Sequence, residues 1–262
     1  MCGRYTLTSS PKIIRDLFHY DEQPNFPARY NVTPTQPIAI VRFVEGKRQF
    51  ALVRWGLLPS WVKDPKAFSL LINARGESVT EKPAFRAAMK RRRCLIPVDG
   101  FYEWQAVGGR KQPFFIRAKS GAPLAFAGLW ESWIGPNGEE LETAAIVTTN
   151  ANRTLGDIHN RMPVVVPREA FDLWLDTTNV DAKTAEALIR PAPESLLEVY
   201  AVSTDVNRTA NDNPKLIEPF VIDAGPEPVA KPARMPQPTK PVRGRKEKPQ
   251  KLKKDSGQGA LF

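Results

Sequence analysis

The spacing of apolar residues changes several times along the chain. Short stretches alternate apolar with polar residues or run continuously apolar. They are "RYTL" near the start, "PIAIVRF" at 37–43, "QFALVRW" at 49–55 and "RCLIPV" at 93–98. Successive side chains of an extended chain face opposite ways, so these runs read as strands. "FYEWQAV", "GGRK" and "QPFFIRA" in succession predict a hairpin, and "PLAFAGLWESWI", "GPNGEE" and "LETAAIVTT" predict another. Asn137-Gly138 marks the second turn as a two-residue type, because both positions tolerate positive φ. Helical spacing follows Ser10-Pro11 ("SPKIIRDLFHY"), Lys82-Pro83 ("KPAFRAAMKRRR") and Pro167 ("PREAFDLWL"), with a fourth helix in "DAKTAEALI". Proline suits a first helical turn, where its missing N–H would be unpaired anyway. Hairpins interrupted by lone helices argue for an α+β fold: a mainly antiparallel or mixed β core with short peripheral helices. No strand is followed by a G-x-G-x-x-G or phosphate-binding loop, which argues against a nucleotide-binding fold.

The pattern breaks near Ile222. Beyond it, residues 223–262 are rich in Pro and Lys/Arg, with Phe262 as the one aromatic. Such a segment buries too little apolar surface to offset its ordering entropy and reads as a disordered tail behind a folded domain at 1–222. Of the net charge of +10, the tail carries ten Lys/Arg against four Asp/Glu, so the folded part is only mildly basic. That permits a polyanionic partner without demanding one. No apolar run approaches a membrane span and no secretory h-region precedes the domain. Two cysteines, Cys2 and Cys94, make no disulfide framework, so a cytoplasmic location is expected.

Candidate chemistry starts at "MCGRYTLTSS", with Cys2 directly behind the initiator methionine. A small second residue favours loss of that methionine, leaving Cys2 with both a thiol and a free α-amine. Their ordinary pKa values are about 8.5 and 7.7–8.0, so each is partly nucleophilic near neutral pH. The amine condenses with an aldehyde, and the thiol then closes a thiazolidine ring. The other reading leaves Cys2 incidental, buried or frayed. In "LLINARGES", Asn73 and Arg75 share one face of an extended chain, either as a donor–acceptor and a phosphate fork or as solvated strand-end residues. In "FYEWQ", Glu103 lies between Tyr102 and Trp104. It is either a desolvated acid/base group or the wet face of a strand. "IHNRMP" holds His159, suited to proton transfer near pH 7, and Arg161 just ahead of an apolar strand. His19, in an amphipathic helix, and Cys94, at the mouth of an apolar strand, read as structural. The cysteines and histidines lie too far apart for a metal site, so neither metal nor cofactor is expected.

Taken in order, "MCGRY", "NARGES", "DGFYEW" and "IHNRMP" resemble the SOS response-associated peptidase family of abasic-site processing proteins; "FAGLW" and "TTNAN" fit as well. The resemblance covers about residues 1–220. One departure is Gly76, where the family often has Ser. The resemblance implies that family's fold and a covalent capture of abasic sites in single-stranded DNA by Cys2 after Met1 is removed. It implies that Glu103 shuttles protons beside the Cys2 amine and that His159 assists opening of the deoxyribose. Asn73 would hold the Cys2 terminus or the opened sugar. Arg4, Arg75 and Arg161 would bind flanking phosphates. Trp61 would stack on a base or wedge at a duplex junction, unless it packs in the core. The peptidase in the family name implies self-removal of Met1.

The final "QGALF" resembles peptides bound by bacterial sliding clamps, with Gln258, Leu261 and Phe262 as the pocket-filling residues. The residues before it would span roughly 30 Å as a flexible linker, placing a clamp-bound molecule near template in the nucleoid. Two rival readings remain at this stage. One is a class II glutamine amidotransferase, which also begins Cys-Gly, although the only Asn-Gly here lies in a turn. The other is a non-catalytic single-strand-binding protein.

Overall fold

The computed structural model describes residues 2–107 and 109–222. The strands in chain order are β1 (Tyr5–Leu7), β2 (Arg29–Val32), β3 (Pro37–Val44), β4 (Lys47–Trp55), β5 (Asn73–Arg75) and β6 (Arg93–Val98). They continue with β7 (Gly100–Val107), β8 (Arg110–Ala118), β9 (Leu124–Ile134), β10 (Glu140–Asn150), β11 (Arg161–Pro163) and β12 (Leu197–Ala201). The helices are α1 (Pro11–Phe18), α2 (Arg86–Arg91), α3 (Arg153–Gly156), α4 (Phe171–Leu175) and α5 (Ala182–Glu186). The α+β reading is correct.

One antiparallel sheet runs β12–β8–β7–β1–β2, so the N-terminal strand has a partner on each side. The other runs β11–β10–β4–β3–β6–β9, and β9 pairs again with β10, closing a small barrel. β10 is the hub of that sheet. It lies parallel to β4 and β5 and antiparallel to β9 and β11. β6 is buried along its whole length, and its pairing with β3 is confined to Leu95 and Cys94. Pro97 lies past that pairing, where a missing N–H removes no bond to β3.

Helix α1 starts where expected. The Ser10 side chain accepts from the Ile13 amide, Pro11 occupies the first turn, and Ile14 and Phe18 face the core. His19 lies at its C-cap with φ 55°, not inside the helix, and a ring nitrogen sits 3.0 Å from Arg168 Nη2. Three boundaries differ from expectation. The Lys82 carbonyl first accepts from the amides of Phe85 and Arg86 in a turn, so α2 proper begins at Arg86. The Pro167 segment opens with a 3-10 turn before α4. The β9–β10 turn is not a two-residue type. Gly135 pairs with Glu139, and Gly138 alone among Pro136, Asn137 and Gly138 has positive φ, at 87°. That is a three-residue loop with glycine in the left-handed position.

Strands β2 and β12 and helix α3 went unforeseen as elements, and the strand expected just after Arg161 begins at Arg161 itself as β11. Among the described residues no helix is long and apolar enough to cross a membrane. The expected tail, with Gln258, Leu261 and Phe262, lies outside the described residues.

The Arg93 guanidinium is buried and donates to the carbonyls of Met89, Trp174, Asp176 and Val180 at 2.6–2.9 Å. It ties the C-terminal ends of α2 and α4 to β6, and burial pulls its pKa down to about 10. Replacement by Met would leave several buried carbonyls unpaired. Arg93→Met is therefore expected to lower unfolding free energy by on the order of 3 kcal/mol in urea titration. Arg93→Lys should recover only part, because an ammonium cannot span four acceptors.

Candidate active site

The site gathers where β1, β5 and β7 meet the loop between α3 and β11. Cys2 immediately precedes β1 and is fully buried, with its Sγ 3.9 Å from the Arg4 carbonyl. β5 is placed by parallel pairing to β10, with Asn73 opposite Ile146. Alternation buries Ala74 and turns Asn73 and Arg75 to the other face, as expected. Asn73 Nδ2 donates to the Cys2 carbonyl at 2.9 Å, so the chain end is fastened by a side chain from a distant strand. Gly76 follows β5 because it must be small. A Cβ there would collide with Ile189 Cγ2 and come within 3.1 Å of the Thr148 carbonyl.

Glu103 lies mid-strand in β7 and is 3 % exposed, which removes the wet-face reading. The cause of its desolvation differs from expectation. Its neighbours are engaged elsewhere: the Tyr102 hydroxyl donates to the Tyr30 carbonyl and Trp104 Nε1 donates to Asn207 Oδ1. Both pack with a separate apolar cluster around Phe115 and Val202. Burial raises the Glu103 pKa, with the nearby His159 pulling the other way. Burial also raises the Cys2 thiol pKa, and the Glu103 charge adds to that rise. In this setting the thiol holds its proton at neutral pH within electrostatic reach of the Glu103 carboxyl.

The Arg161 amide donates to His159 Nδ1 at 3.0 Å, so the neutral ring carries its proton on Nε2. His159 lines two adjoining recesses. One, of about 390 Å³, is walled by Arg4, Glu103, Trp104, Lys111 and Asn207. The other, of about 590 Å³, is walled by Arg75, Glu77, Ser78, Lys82 and Arg161 among others. Cys2, Asn73, Glu103 and His159 thus converge. Lys111, Glu77 and Lys82 were missed by sequence reasoning. Glu77, inside "NARGES", stood close enough to Arg75 to have been weighed.

The expected phosphate binders separate into three cases. Arg75 is exposed on its recess wall. Arg4 is half-buried and donates to Asn31 Oδ1 and the carbonyls of Val206 and Asn207, securing the 3-10 turn at Thr204–Asn207. Arg161 is 9 % exposed, grips Glu77 through both terminal nitrogens at 2.6 and 2.8 Å, and also donates to Asn150 and Thr148. Trp61 does not pack in the core. It is 58 % exposed, edge-on to Phe68, and lines neither recess.

The hydrogen bond from Arg161 holds the Glu77 carboxyl below its ordinary range. A carboxyl depressed by folding stabilises the protein above its unfolded pKa of about 4.3 and loses that contribution as pH falls through the folded value. Glu77→Gln is expected to lower stability at pH 7 by an amount that shrinks as pH falls below about 4.3. Chemical denaturation of both proteins at the two pH values measures this.

The family model described as SOS response associated peptidase (SRAP) matches residues 1–209. Abasic site processing protein YoqW of Bacillus subtilis is 40% identical over 222 residues, 83% of this chain and 99% of its own. Abasic site processing protein HMCES of Xenopus tropicalis is 31% identical over 267 residues, 85% of this chain and 79% of its own. A crystal structure of a phage-related protein from Bordetella bronchiseptica, 32% identical, superposes with a TM-score of 0.62 over 77% of this chain and 94% of that one. A Bacteroides thetaiotaomicron protein, 24% identical, shares the fold with a TM-score of 0.76 over 84% of this chain and all of its own.

Proposed function

The chain belongs to the SOS response associated peptidase family, and on that premise we propose that it captures abasic sites in single-stranded DNA covalently through Cys2. The reading is supported most by one observation: the Cys2 carbonyl is held by Asn73 in a site that also contains Glu103 and His159. Relatives from a bacterium and a vertebrate carry the name abasic site processing protein.

The chemistry follows from the two nucleophiles of a terminal cysteine. Hydrolysis of the Met1–Cys2 bond, by the same site, consumes one water and frees the amine. His159 Nε2–H donates toward the sugar ring oxygen as the deoxyribose opens to its aldehyde. The Cys2 amine adds to the aldehyde carbon, water leaves, and an imine forms. The thiol adds to the imine carbon and its proton ends on the nitrogen, giving a thiazolidine. Glu103 accepts and returns that proton, which a carboxyl with an ordinary pKa would do poorly for a buried thiol. Asn73 fixes the chain end so that both nucleophiles meet the same carbon. Arg75 binds an adjacent phosphate, while Arg4 and Arg161 act mainly by shaping the walls. Trp61 offers an exposed ring for base stacking. The adduct shields a break-prone lesion as part of the DNA damage response. Gln258, Leu261 and Phe262 would bring a cytoplasmic, nucleoid-associated molecule to a sliding clamp.

Intact mass followed by a denaturing gel with single-stranded DNA bearing one abasic site tests the reading. A protein lacking Met1 and a heat-stable shifted band, absent for Cys2→Ala, are expected. Retained Met1 or an unshifted band overturns it, and glutamine hydrolysis would then point to the amidotransferase chemistry. Equal binding of intact and abasic strands that survives Cys2→Ala would point to simple strand binding.

The raised pKa of Glu103 gives a second expectation. Its carboxylate is lost as pH falls through a value above the ordinary carboxyl range of about 4.3. The ratio of wild-type to Glu103→Gln adduct rates should therefore decline across mildly acidic pH and be largest near neutrality. A ratio independent of pH assigns the proton transfer elsewhere.

A further inference from the structure

Beyond the recess walls, one charged surface is used neither by the packing nor by the chemistry above. Helix α2 buries Ala88 and Met89 against the core, with Phe85 ahead of it. Residues three and four apart share a helix face, so the opposite face presents Arg86 and Lys90. Both are exposed, and so is Lys82 in the preceding turn, where its carbonyl accepts from the Arg86 amide. Lys82, Arg86 and Lys90 therefore succeed one another at intervals of about 6 Å. Among the described residues none of these three side chains makes an ion pair or hydrogen bond. Arg92, by contrast, is engaged by Glu131 at 3.2 Å, and burial raises the pKa of that carboxyl against the opposing pull of Arg92 and Arg91. Glu81 is the acid that shares the turn with Lys82.

The row is continuous with the site at one end. Lys82 lines the recess that also holds Arg75 and His159. We propose that Arg86 and Lys90 on α2 extend this wall into a track for the phosphate backbone of the strand leaving the recess. The partner is nucleic acid because regularly spaced, solvated cations that no internal acid neutralises suit a chain of phosphates. The track carries no base contacts, so it strengthens binding to flanking strand irrespective of sequence. It rests on the proposed function in taking DNA as the partner, but not on the Cys2 chemistry.

The test uses the full chain with lesion-free single-stranded DNA, in a long form and in a short form that spans only the recesses. Binding is read by fluorescence anisotropy across a salt series. For Arg86→Gln/Lys90→Gln, two lost phosphate contacts should make the slope of log affinity against log salt shallower by about 1.4 on the long strand. Affinity on the short strand should not change. Arg86→Lys/Lys90→Arg should retain wild-type behaviour, which separates charge from any effect on folding. An unchanged slope on the long strand, or an equal loss on both lengths, overturns the track. So does wild-type protein that shows no salt-dependent binding. Wild-type binding without an adduct on abasic DNA leaves the track standing and removes the covalent chemistry.

Discussion

The rest of the structure is arranged around holding a chain end still. A residue at position 2 ordinarily frays, because its conformational freedom costs more to remove than one or two contacts return. Here Cys2 is fully buried. β1 follows within three residues and hydrogen-bonds to β2 on one side and β7 on the other. Tyr5 and Leu7 are buried in the core. Asn73 adds a clamp from outside that sheet. Its own placement depends on β10, to which β5 is paired. The barrel and the other sheet are therefore joined at the residue where the chemistry would begin. Asn150 and the neighbouring Thr148, at the C-terminal end of β10, also receive Arg161, so one strand positions both the clamp and the far wall of the site.

Burial that immobilises the terminus also sets its proton chemistry. Taking the thiol and the Glu103 carboxyl out of water raises both, since each loses the solvation of its charged form. An exposed carboxyl would stay ionised and accept little from a neutral thiol. Bringing the two together in a dry place sets a protonated thiol near a carboxyl of raised basicity. His159 stands where the two recesses meet, and its Nδ1 accepts from the Arg161 backbone amide. The acid Glu77 is drawn instead into the grip of Arg161, below its ordinary pKa. The site thus holds two carboxyls pushed in opposite directions, one by desolvation and one by a cation.

Elements whose residues decide their own conformation were legible in advance. β6 has the expected limits because each of its six residues is apolar or buried, and α1 has a capping serine and a proline in the right places. β5 was legible only as an extended stretch and β11 only as an apolar run at Arg161, because both are placed by the edge that β10 offers them. Glu103, Asn73 and His159 could be singled out as polar interruptions of apolar runs. The cause of Glu103's burial could not, because Tyr102 and Trp104 are engaged by Tyr30 and Asn207 and the carboxyl is enclosed by the fold rather than by its sequence neighbours. The Asn137 turn failed for a similar reason: loop length follows the register of β9 against β10, not the dipeptide alone.

Charge shows the same division between local and global causes. Arginine is a poor guide to surface potential in this protein, because several guanidiniums serve as internal hydrogen-bond hubs. Arg4, Arg93 and Arg161 together secure a 3-10 turn, two helix ends and a carboxylate. A guanidinium offers five donors in a fixed plane, so it collects backbone carbonyls where an ammonium would leave some unpaired. Subtracting such residues leaves a field much patchier than the net charge suggests. Among the described residues Arg75, Lys82, Arg86 and Lys90 are exposed without an ion pair, and Arg75 and Lys82 wall the recess that holds His159. A folded domain that is only mildly basic overall can therefore present a strongly cationic edge where a polyanion would meet it. Its attraction acts over about a Debye length, roughly 8–10 Å in physiological salt. That range is enough to steer a strand into the site without making the whole surface adhesive.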